Sequence, residues 1–214
     1  MKGDIINLND EHRRTASKIV EPLIDDIRKC KELFVFSVAG ESGAGKSISA
    51  AAIAEQLEQA GLLVKIFQQD DYFYLPPFTN DRKRRQDLSW VGIQEVNLGL
   101  IDQHLLAAKN GVQFIEKPLV IYQENKITTE EFDMTAVRVC IAEGTYTSML
   151  TNVDKRIFID RNYFETHQDR KKRARDVMDP FTEQVLEIEH KIISNHKAFA
   201  DIIIDKEFKV YFVK

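Results

Sequence analysis

Apolar residues first recur at helical spacing, with Ile19, Val20, Leu23, Ile24 and Ile27 on one face of a segment spanning 10 to 31. Pro22 either opens a helix there or kinks it. The pattern then changes to short apolar runs. "LFVFSVA" (33–39) reads as a buried strand stopping at Gly40, and an alanine-rich helical pattern runs on from Lys46. Gly61 caps that helix before a second strand, "LLVKIF" (62–67), so the three segments form a βαβ unit. Beyond it Pro76 and Pro77 break the chain, and "NDRKRRQD" (80–87) reads as an exposed excursion.

Periodicity resumes with a helix from about Asn97 to Lys109, its face made by Leu98, Ile101, Leu105 and Leu106 and its end marked by Asn110-Gly111. "VQFIEKPLVIY" and "NKITTEEF" suit a small hairpin beside the main sheet. "AVRVCIA" (136–142), "KRIFID" (155–160) and "ADIIID" (200–205) are further buried strands, and "FKVYFV" (208–213) alternates like an edge strand. Residues 163–178 and 181–198 carry helical patterns. Strands alternating with helices predict an α/β fold, doubly wound around a mainly parallel sheet, with ligands at the carboxyl ends of the strands. The expected organisation is an N-terminal helical arm (1–32) packed on one domain (33–214).

Composition narrows the function classes. A formal net charge of -4 and a pI near 5.8 give no overall positive field to gather nucleic acid or an anionic membrane. No apolar run is long enough to cross a bilayer, and the first ten residues lack a secretory apolar core, so a cytoplasmic location is expected. Cys30 and Cys140 match no metal or redox spacing, nor do the five histidines.

Three chemically suggestive stretches directly follow predicted strands: "GESGAGKS", "QQDDYF" and "EGTY". The first places Gly40, Gly45, Lys46 and Ser47 in the fixed positions of the phosphate-loop pattern G-x-x-x-x-G-K-[ST]. Residues without a Cβ let the backbone wrap an anion, and the following helix adds unpaired N–H groups and the positive end of its dipole. Residues Gly40, Glu41, Ser42, Gly43, Ala44, Gly45, Lys46, Ser47 and Ile48 are therefore expected to hold a nucleoside triphosphate, ATP being the leading candidate. Lys46 would reach the β- and γ-phosphates, and Ser47 would bind Mg²⁺.

A GTPase would need N-K-x-D and D-x-x-G elements. "NKIT" (125–128) lacks the aspartate, and no D-x-x-G occurs. A small-molecule kinase instead needs one carboxylate to accept the hydroxyl proton of the acceptor and another near the metal, and strand ends supply Asp70, Asp71 and Glu143.

On these residues the chain resembles the uridine kinase and phosphoribulokinase family of P-loop kinases from about residue 33 to 205. The likeness rests on "GESGAGKS", on "FQQDDYFY" and "CIAEGTY", on the arginine-bearing segment 163–175 and on "ADIII". It implies that Asp70 is the catalytic carboxylate, that Glu143 sits near the metal and γ-phosphate, and that Arg170 and Arg173 belong to a lid over the phosphates. Such arginines would stabilise charge on the transferring group.

The acceptor side departs from the uridine-specific pattern. "SWVGIQEV" (89–96) replaces an F-D-H-P-D element, "YQENKI" (122–127) keeps Tyr122 but loses a histidine, and "MDPF" (178–181) replaces R-G-R-D. Asp71, Tyr72, Arg84, Arg85 and Tyr122 are the expected acceptor contacts, the arginines for an anion such as a sugar phosphate. The expected activity is ATP- and Mg²⁺-dependent phosphoryl transfer to a nucleoside or sugar phosphate. Neither nucleic acid nor membrane is an expected partner, and homo-oligomerisation is left open. The competing expectation is a nucleotide-binding regulatory protein without transfer, or a simple ATPase.

Overall fold

The computed structural model describes residues 6–167, 170 and 179–214. Strands β1 (Phe34–Gly40), β2 (Leu63–Gln68), β5 (Val137–Glu143), β6 (Lys155–Asp160), β7 (Ile202–Asp205) and β8 (Val210–Phe212) form one sheet in the order β2-β5-β1-β6-β7-β8. All neighbours are parallel except β7 and β8, so the alternating "FKVYFV" pattern does make an antiparallel edge. β3 (Phe114–Ile121) and β4 (Lys126–Asp133) make a separate antiparallel ribbon.

The period of two along each strand decides which layer it feeds. Phe34, Phe36 and Val38 of β1 pack with α1 (Asp10–Lys29) and α2 (Lys46–Gln59) on one face. Val35 and Ala39 pack on the other face with α4 (Leu98–Lys109) and with Ile193 of α5 (Pro180–Ile193). Helix α1 opens on an Asn9/His12 capping box and runs through Pro22 without ending. Pro22 lies outside the buried set of that helix, and the carbonyl it leaves without an amide donor belongs to exposed Lys18, where water can serve it.

Two expectations change. The stretch "NDRKRRQD" lies in a helix, α3 (Pro77–Gln86), started by Pro77 at its first position. It has no apolar stripe because Asn80 is its one buried residue, and the pattern therefore concealed it. The helix expected over 181–198 is α5 followed by a tight 3-10 turn, Ser194–Phe199. Most of the helix expected over 163–178 lies outside the described residues, which place Tyr163–Thr166 in a turn.

Register is what builds the site. Glu143 at the end of β5 stands level with Val38 of β1 on one side and Gln68 of β2 on the other. The loops leaving these three strands therefore start at one level and meet.

Candidate active site

The loop Gly40–Ser47 leaves β1 and turns into α2, whose N-cap, Gly45, has a φ of 102°. A Cβ on Gly43 would lie 2.7 Å from Cγ of Arg170, so glycine lets that arginine lie against the loop. Arg170 Nη1 donates to the Tyr163 carbonyl at 2.7 Å and to Thr166 Oγ1 at 2.6 Å. Lys46 Nζ donates to the Glu41 carbonyl at 2.9 Å, folded across the mouth of the loop. Ala44 is buried, its N–H donating to the same carbonyl, and Ile48 follows in the first turn of α2 outside the cavity lining.

Ser47 Oγ donates to Glu143 Oε1 at 3.1 Å. Burial pushes the Glu143 carboxyl up to about 7, and the nearby Asp70 carboxylate adds to the rise, while Lys46 and the Ser47 hydrogen bond oppose it. Gly144 follows at a φ of 159°, where a Cβ would overlap Gln69, whose Oε1 accepts from the Tyr146 N–H at 2.7 Å. The Glu-Gly pair is thus fixed by packing as well as chemistry.

These groups line a cavity of about 240 Å³. One end holds Ser42, Gly43, Lys46, Ser47, Asp70, Glu143 and Arg170; the other is walled by Phe73, Leu75, Pro77, Val120 and Tyr122, with Asn80, Arg84 and Thr145 as polar points. Asp70 sits on the 3-10 turn Gln69–Tyr72 and is exposed, whereas its neighbours are buried.

Burial corrects two of the expected acceptor contacts. Asp71 points away from the cavity, taking a 2.9 Å ion pair from Lys117 Nζ and the Val120 N–H at 2.9 Å, and so ties the ribbon to the turn. Tyr72 is in the core with its hydroxyl 2.9 Å from His104 Nδ1, and burial with the Asp71 charge raises its pKa. Neither lines the cavity.

The arginines also differ from expectation. Arg85 pairs with Asp81 at 2.9 Å and Asp179 at 3.0 Å, outside the cavity lining. Arg84 does line it, but its guanidinium grips Glu95 through Nε and Nη2 and reaches Glu189 of α5 at 3.2 Å. Burial alone would lower its pKa, yet Glu189 and Glu95 outweigh burial and hold it above its ordinary value. Glu95 is fully buried and also accepts from the Gly92 N–H and from Asn80 Nδ2. The arginine expected to meet an anion is already committed to two carboxylates. Tyr122 lines the cavity, its ring edge-to-face with Phe78 at 5.2 Å. Arg173 lies outside the described residues.

Sequence reasoning missed Asn80, Thr145 and the Glu95–Glu189 pair on the acceptor side, and Lys117 beneath it. A lysine between apolar ribbon residues at "IEKPLVI" was the available signal for a buried partner. Among the described residues no group of three or more His, Cys, Asp or Glu is placed to cage a metal.

The model of the Phosphoribulokinase / Uridine kinase family matches residues 35–206. A bifunctional alpha-galactosidase/sucrose kinase of Mediterraneibacter gnavus is 27% identical over 191 residues, 83% of this chain but only 20% of that longer protein. A uridine kinase of Shewanella piezotolerans is 26% identical over 194 residues, covering 82% of this chain and 89% of its own. In fold, a phosphoribulokinase from Rhodobacter spheroides superposes with a TM-score of 0.60 at 14% identity, over 82% of this chain and 71% of that one. No described helix is long and apolar enough to cross a membrane.

Proposed function

We propose that this chain, which belongs to the phosphoribulokinase/uridine kinase family, transfers the terminal phosphoryl group of ATP to a hydroxyl of an uncharged sugar or nucleoside. The observation that carries the reading is the convergence of Lys46, Ser47, Asp70 and Glu143 at one end of a cavity whose other end is apolar and aromatic.

The residues fit the groups the reaction requires. Backbone N–H groups of the loop and Lys46 suit phosphate oxygens. The Ser47 hydroxyl and Glu143 carboxylate are hard oxygen donors side by side, suited to Mg²⁺ that keeps waters and phosphate oxygens as its other ligands. Bound there, the ion would neutralise phosphate charge. Asp70 accepts the proton of the acceptor hydroxyl as its oxygen bonds to phosphorus and the bond to ADP breaks. Lys46 leaves the Glu41 carbonyl for the phosphates, and Arg170 meets charge on the transferring group. Arg173 remains a proposed partner in that task.

The acceptor class follows from charge. Among the described residues, the one cation lining the acceptor end, Arg84, is already held by Glu95 and Glu189, so its charge is committed before any anion arrives. An uncharged ring with hydroxyls, stacked against Tyr122 or Phe73, fits better. The names of the two relatives, a uridine kinase and a sucrose kinase, point the same way. A regulatory protein without transfer is less well supported, because Asp70 serves no packing purpose: it is exposed within the cavity.

The test is ADP release with MgATP across matched acceptors: uridine and its 5′-phosphate, fructose and its phosphate, sucrose. The neutral member of a pair should give the higher kcat/KM. Preference for the phosphorylated member would overturn the acceptor class, and ADP release indifferent to every acceptor would overturn transfer.

A further inference from the structure

Glu41 poses an electrostatic problem: it puts a carboxylate at the second position of a loop meant to receive a triphosphate. Its side chain is only 8% exposed and does not line the cavity. Oε1 lies 2.6 Å from Nδ1 of His190 on α5, and Oε2 accepts the Tyr163 N–H at 2.7 Å. The His190 ring also packs on Tyr163, with centroids 5.5 Å apart. Three segments distant in sequence thus meet on one carboxylate: the phosphate loop, the turn after β6 and helix α5. The preceding residue, Glu189, reaches Arg84 on the acceptor wall, so adjacent positions of α5 hold both ends of the cavity.

We infer that His190 is a positioning residue of the nucleotide site, holding the Glu41 carboxylate out of the cradle and fixing the loop in its receptive shape. The inference rests on the reading of this loop as a nucleotide site. Its physical logic concerns what happens when ligand arrives. Lys46 is tied to the Glu41 carbonyl and must leave it to meet phosphate, so the loop loses an internal strut as it takes on charge. The side chain of Glu41, anchored from outside by His190 and by Tyr163, keeps that stretch of backbone in place and keeps a like charge away from the ligand.

The experiment is calorimetric titration of the full chain with MgADP. His190→Ala should raise Kd roughly tenfold, in line with the loss of a hydrogen bond to a charged group. His190→Asn, whose amide N–H can take the place of Nδ1–H, should come back to within about twofold of the native value. Val185→Ala removes buried side-chain volume from the same helix without touching Glu41, so it should lower the thermal midpoint yet leave Kd unchanged. Native affinity in His190→Ala, no rescue by Asn, or equal weakening by Val185→Ala would each overturn the inference while sparing the proposed function. Absence of MgADP binding by the native protein would overturn both.

Discussion

In the nucleotide end of the cavity, eight consecutive residues supply the loop, the lysine and the metal-side hydroxyl, and backbone geometry does most of the work. The acceptor end is assembled from α3, the turn at Phe73, β3, the residues just after it and the loop after β5, and its charged group is balanced by carboxylates brought from elsewhere. A site built from main chain tolerates little change in sequence and announces itself. A site built from paired side chains can change its ligand by changing who pairs with whom.

The sharpest way to break this contrast is at the reacting centre. Asp70→Asn should lower kcat by about 10³-fold or more, the range for loss of a general base, with little change in either KM. A comparable loss in KM instead would make Asp70 a binding group. The acceptor wall should fail differently, through folding. Arg84→Ala leaves Glu95 buried without its cation, and breaking such a pair costs about 3–5 kcal/mol, to be read as a fall in the denaturant midpoint. An unchanged midpoint would mean that the Arg84–Glu95 pair does not hold this wall together.

Glu143 links activity to stability with a definite sign. Its carboxyl is raised from 4.5 to about 7 by burial and by Asp70. Below pH 4.5 it is protonated folded or unfolded and costs nothing. Between 4.5 and 7 the folded form binds the extra proton, so stability falls as pH rises, and above 7 the deficit stays constant at about 3 kcal/mol at most. Glu143→Gln should therefore make the ligand-free protein more stable at pH 8, flatten that slope and cost most of the turnover. A mutant no more stable than native at pH 8 would contradict it. The smallest effect is expected at Tyr146, whose buried hydroxyl has no hydrogen-bond partner among the described residues. Tyr146→Phe should leave kinetics intact and gain about 1 kcal/mol in thermal unfolding.

The same contrast explains what could be read from sequence. The strands, α4, the ribbon and the phosphate loop were legible because their signals are local: alternation, helical spacing, glycine before lysine. Asp71 and Tyr72 misled because a tight turn sends adjacent residues to opposite sides, Asp70 into the cavity and Asp71 toward Lys117, forty-six positions on. The partners of Arg84 lie eleven and 105 positions away, a distance over which neither composition nor spacing carries information. His190 carried no signal for the same reason: its partner, Glu41, lies 149 positions away.

The β3–β4 ribbon belongs to a sheet of its own, apart from the six-stranded one, and docks through Lys117 and the Val120 N–H onto Asp71, through Asn125 onto the start of α3 and through Phe132 onto Phe67, while presenting Val120 and Tyr122 to the cavity. Such a piece is a natural cartridge. Grafting the corresponding hairpin from a relative, with its docking lysine retained, would swap one wall of the chamber without disturbing the parallel strands that carry the phosphate chemistry, and diversification in this architecture could proceed by exchanging modules as readily as by point substitution.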